Sequence, residues 1–144
     1  MTVAALSHVA RRSIEGFVRD ALGCACPPEV FEDIRLETGP AGFTGVPGAR
    51  LLAIGGRLLV LLVNGGMTGL PPREISTLLS QGRELRDAGG FNRFRLVIVV
   101  PEESTVRISA ASDNGSVISG DDRLHLHQIV PAQLPSLLRS DGLQ

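Results

Sequence analysis

Leu51-Leu-Ala-Ile54, Gly55-Gly56 and Arg57-Leu-Leu-Val-Leu-Leu-Val63 form the stretch on which the fold turns. Two apolar runs joined by a pair of glycines predict a β-hairpin, because glycine alone enters at no steric cost the positive-φ conformations that a two-residue hairpin turn requires. The second run is apolar at nearly every position from Leu58 to Val63. A strand exposed on one face would alternate with polar residues, so this one is expected at the centre of a sheet covered on both faces.

The flanking segments supply further strands and the helices to cover them. Upstream, Ile34-Arg-Leu-Glu-Thr38 alternates like a strand, and the loop from Gly39 to Gly48 carries Pro40 and Pro47. Earlier still, Leu6, Ala10, Ile14, Phe17, Val18 and Ala21 recur at three- and four-residue spacing and predict an amphipathic helix over Val3 to Leu22, stopped at Gly23. A second, short helix is expected with Pro27 as its first residue and with Val30, Phe31 and Ile34 on one face. Downstream, Pro71-Pro72 opens a helix whose Ile75, Leu78, Leu79, Leu85 and Ala88 share a face before Gly89-Gly90. Phe94 to Val100 and Arg123-Leu-His-Leu-His127 follow as strands, and Pro131 to Leu138 as a terminal helix. Residues 102–122 read equally as strand or helix. The expected fold is a single domain over residues 1–144, α/β or α+β, with a mixed β-sheet and helices packed on it.

Composition narrows the chemistry. The 144 residues carry 14 basic against 15 acidic side chains, for a net charge of -1, and every basic residue is Arg. Without Lys, Schiff-base chemistry, a Ser-Lys pair and the P-loop phosphate grip are excluded. Without Tyr, a catalytic phenol is excluded too. Near-neutral charge and 5 Phe as the whole aromatic complement disfavour a nucleic-acid partner. No apolar run is long enough for a bilayer, and Glu15, Arg19 and Asp20 interrupt what would follow Arg11-Arg12 in a twin-arginine signal, so the expected location is cytoplasmic.

The order helix, three strands, helix, strand resembles the restriction-endonuclease-like core in outline. That family's activity rests on strand carboxylates and a Glu-x-Lys element. The second and third of these strands lack Asp and Glu, and the chain lacks Lys. The resemblance therefore carries no nuclease site. Hydrolase chemistry of the G-x-S-x-G type and kinase chemistry lack their motifs as well.

Three constellations remain. Cys24-Ala25-Cys26-Pro27-Pro28-Glu29 holds the only two cysteines of the chain. With Pro27 opening a helix, Cys26 becomes the N-cap, where free amides and the helix dipole favour a thiolate, and Glu29 at the capping-box position opposes it. Two thiols at this spacing either chelate a soft metal ion or close a small strained disulfide ring. The plainer alternative is a pair of small buried residues between two helices. His125 and His127, two apart in a strand, share one face, so with Cys24 and Cys26 they make a four-ligand set suited to Zn or another thiophilic metal. An exposed polar sheet face accounts for the histidines as simply. Asn64-Gly65-Gly66-Met67-Thr68-Gly69 lies between a buried strand and a helix, a place where Asn64, Gly65, Gly66, Thr68 and Gly69 can cradle an anion. Pro71 and Pro72 remove amides from that helix start, and Gly65 and Gly66 read more simply as a turn requiring positive φ. The functional expectation is a small protein using the Cys-x-Cys pair for metal handling or redox exchange. The alternative is a non-catalytic interaction domain or accessory subunit, with a protein partner or self-association.

Overall fold

The computed structural model describes residues 2–5, 7–20, 22–23, 27–38, 49–65, 70–101, 116–118, 121–135 and 138. The sheet is mixed and seven-stranded, in the order β1-β2-β3-β4-β5-β7-β6. Its strands are β1 (Thr2–Ala5), β2 (Ile34–Thr38), β3 (Arg50–Ile54), β4 (Leu58–Asn64), β5 (Arg93–Val99), β6 (Ser116–Ile118) and β7 (Asp121–Ile129), with helices α1 (His8–Asp20) and α2 (Pro72–Gly89). Strands β1 to β4 pair antiparallel, β4, β5 and β7 pair parallel, and β6 closes the far edge antiparallel to β7.

The expected hairpin is β3–β4. Gly55 and Gly56 take φ of 61° and 66°, and the Arg57 N–H donates to the Ile54 carbonyl at 3.0 Å. Two consecutive positive φ values are what a type I′ turn demands. β4 is the central strand, and its two sets of alternate side chains feed two cores. Leu58, Val60 and Leu62 join Ile14, Phe17 and Val18 of α1, while Leu59, Leu61 and Val63 join Ile75, Leu78 and Leu79 of α2. Fully burying a leucine contributes about 2 kcal/mol, so β4 anchors both layers.

Helix α2 connects the parallel strands β4 and β5. Its buried face runs Ile75, Leu78, Leu79, Gly82, Arg86, whereas Leu85 and Ala88, expected on that face, are exposed. The reason is close approach. A Cβ on Gly82 would stand 2.2 Å from the Phe94 ring, so the helix rolls its glycine onto β5 and Leu85 turns outward.

Four other expectations are corrected. Thr2–Ala5, within the segment expected to begin the first helix, forms the edge strand β1, with Val3 opposite Glu37. Helix α1 starts only where the Ser7 hydroxyl accepts from the Ala10 N–H at 3.1 Å. The short helix after Cys26 is a five-residue 3-10 turn, Pro28–Glu32, with Pro27 at its N-cap. The terminal segment contains a 3-10 turn, Pro131–Gln133, rather than an α-helix over its described residues; Leu134 and Leu138 enter the α1-side core, and the Arg50 guanidinium donates to the Leu138 carbonyl. Gly65 has no positive φ. It is small because a Cβ there would meet the Ile98 side chain at 2.7 Å. The segment 102–115, including Val106 to Ile108, lies outside the described residues.

Candidate functional site

Strands β5 and β7 run parallel with Arg95 beside His125 and Val97 beside His127. Because side chains alternate, Leu124 and Leu126 face the α2 core, and His125 and His127 face the α1 side together with Arg93 and Arg95. The expectation that the two histidines share a face opposite the leucines therefore holds. The exposed face does not, since His125 and His127 are only 8% and 1% exposed.

Each histidine is met by an arginine. Arg93 Nη1 lies 3.0 Å from His125 Nε2, and Arg95 Nη1 lies 2.9 Å from His127 Nε2. Guanidinium has donors only, so in each contact the His Nε2 is the atom that accepts. Burial first, then the Arg95 charge and His125, lower the His127 pKa to about 3. Arg95 itself is lowered to about 10, by burial and then by Arg93.

Arg95 Nη1 also donates to the Leu22 carbonyl at 3.1 Å, fastening the exit of α1 onto the sheet. Gly23, the next residue, has a φ of 72°. Arg95 has no carboxylate partner among the described residues, and its Nε is buried with no hydrogen-bond partner. Leaving such a donor unmade costs about 1–3 kcal/mol. A buried cation without a counter-ion is thus the least compensated group among the described residues.

Cys24 and Cys26 lie outside the described residues. Glu29 is exposed, stands second in the 3-10 turn, and caps nothing, since the N-cap is Pro27 and has no side-chain cap bond. Cys26 is accordingly not the N-cap, and a single 3-10 turn supplies no sustained dipole for its thiol. Among the described residues no group of three or more His, Cys, Asp and Glu is arranged to hold a metal ion. The metal set Cys24, Cys26, His125 and His127 is reached only on its histidine side, and there both Nε2 atoms already face guanidinium groups. In the glycine stretch, Asn64 ends β4 and the Gly65 N–H donates to Val99 O at 2.8 Å, which withdraws that amide from anion binding. Gly66, Thr68 and Gly69 lie outside the described residues.

Sequence reasoning missed Arg93 and Arg95. Their signal was present: Arg-x-Arg in a strand otherwise apolar, with the same two-residue spacing as His-x-His. Recognising it required knowing that β5 and β7 are neighbours. Comparison with protein-family models, curated proteins and solved structures finds no match to this chain. No helix among the described residues is long and apolar enough to cross a membrane.

Proposed function

We propose that the protein is a thiol–disulfide exchange protein of a reducing compartment, the cytoplasm, acting through Cys24 and Cys26. The carrying observation is the 3.1 Å bond from Arg95 to the Leu22 carbonyl. Chain connectivity keeps the Cys24 Cα within about 7 Å of that of Leu22, so the thiol pair follows directly on a segment fastened to a cation lacking a carboxylate partner among the described residues. Positive charge favours a thiolate and disfavours a second cation. That balance, with both His Nε2 atoms facing guanidinium groups, supports exchange through the thiols over a four-ligand metal site. A Cys thiolate attacks a disulfide-bonded substrate and forms a mixed disulfide as one substrate thiolate leaves. The second Cys thiolate then closes the Cys24–Cys26 disulfide and releases the other. One dithiol is oxidised and one disulfide reduced, and the substrate thiolates take up the two thiol protons.

Alkylation of the reduced protein against pH, followed by equilibration with a small disulfide, tests this reading. The expected result is at least one thiol titrating below the ordinary value of about 8.5, and an intramolecular disulfide lost in Cys24→Ser and Cys26→Ser alike. Two unreactive thiols would overturn it and leave the interaction-domain reading. Elemental analysis completes the test: stoichiometric zinc lost on replacing His125 and His127 would restore the four-ligand site instead.

A further inference from the structure

The arginine ladder on the α1 face of β5 and β7 is more than a support for the neighbouring segment. Arg95 is over nine-tenths buried, yet both of its described hydrogen bonds leave from Nη1, one to Leu22 O and one to His127 Nε2. Its Nε is buried and unpartnered. The side of the guanidinium formed by Nε and Nη2, which presents two parallel N–H groups, is therefore without a described acceptor. Two parallel donors on a plane match the two oxygens of a carboxylate in bidentate geometry, and a planar anion is the partner for which guanidinium is best shaped.

The surroundings of this edge favour an anion. His125 and His127 meet Arg93 and Arg95 through Nε2 and bring no negative charge, while Arg93, two residues away along β5, is exposed at the amino end of the strand. A solvent-facing cation next to a buried one draws anions inward, and their attraction to the buried one grows as water is left behind. Among the described residues no Asp or Glu forms an ion pair with Arg95. A group only 8% exposed is out of reach of the surface of a folded partner, so a ligand for it is a small molecule.

We infer that the Nε–Nη2 edge of Arg95 is a binding site for a small carboxylate ligand. The ligand is defined by one planar carboxylate group, and although both readings draw on the charge of Arg95, this one does not require Cys24 and Cys26 to exchange disulfides.

The test is titration of the full chain with sodium acetate and sodium succinate at constant ionic strength, against sodium chloride and sodium phosphate. The imidazole nitrogen resonances of His127 serve as the local reporter, because its Nε2 contacts the same guanidinium. Saturable shifts with the carboxylates and none with chloride are expected, weakened about tenfold or more in Arg95→Gln by loss of the charged bidentate contact. Arg93→Gln, at an exposed position, provides the reading should Arg95→Gln not fold: it weakens binding and reduces its dependence on ionic strength. Carboxylates acting no differently from chloride, phosphate binding more tightly than either carboxylate, or unchanged binding in both variants would overturn the inference. None of these outcomes depends on whether Cys24 and Cys26 exchange disulfides.

Discussion

Arg95 Nη1 stands 2.9 Å from Nε2 of His127, so a residue that always carries its charge holds a neighbouring imidazole in the neutral form. Protonating that ring would set N–H against N–H in a buried space.

This contact has a pH signature. The His127 pKa falls from the ordinary 6.5 to about 3 in the folded chain, so the unfolded chain binds the proton first. Its contribution is complete above pH 6.5 and is lost as pH falls from 6.5 toward 3, with an amplitude of about 5 kcal/mol. Urea unfolding at a series of pH values should show stability rising across that window. In His127→Gln, whose amide oxygen still accepts from Arg95, the slope should be shallower. Parallel curves for the two proteins would refute the assignment.

Gly82 and Gly16 should respond oppositely to the same substitution. Gly82→Ala drives a Cβ to 2.2 Å from the fully buried Phe94 ring and is expected to destabilise by about 1–3 kcal/mol. Gly16, within α1, has nothing within 4 Å of a Cβ, so Gly16→Ala should stabilise by about 0.5–1 kcal/mol. Denaturation midpoints of the two variants decide the matter.

In the hairpin turn both glycines have positive φ, but only one is crowded. A Cβ on Gly55 meets Val30 at 2.4 Å, and one on Gly56 meets nothing within 4 Å. Gly56→Ala should cost about 1–2 kcal/mol, the left-handed penalty alone. Gly55→Ala should cost more, because it also displaces the 3-10 turn. Equal losses would show that the contact with Val30 is unimportant.

Leu61 and Leu85 test which leucines hold the α2 layer. Leu61 is fully buried in β4 and Leu85 is 36% exposed. Leu61→Ala should cost about 3–5 kcal/mol and Leu85→Ala under 1 kcal/mol. A large loss at Leu85 would restore the helical face that simple periodicity predicts.

What could be read from the sequence follows how local the cause is. The glycine pair and the unbroken apolar run of β4 are local signals for the hairpin and the central strand, and equally local signals in their own segments mark β2, β5, β7 and the start of α2. Failures arise where a distant neighbour decides. Val3 fits a helical stripe until β2 offers Glu37 as its strand partner. Leu85 fits the α2 face until the Phe94 ring claims the space beside Gly82. The histidines look wet until β5 supplies two arginines in register, and Arg95 gives no hint alone of holding Leu22, 73 positions earlier.

The strand order has a consequence for assembly. From one edge, the first five strands stand in the sheet in the order in which they occur in the chain, and only the last two exchange places. As the chain lengthens, each of β2 to β5 can join a neighbour already made, so every addition closes a modest loop and carries a small entropic penalty. The ladder of Arg93, Arg95, His125 and His127 is completed only when β7 arrives beside β5. Growth in chain order therefore leaves two arginines exposed on the last open edge, with their imidazole acceptors joining at the final step.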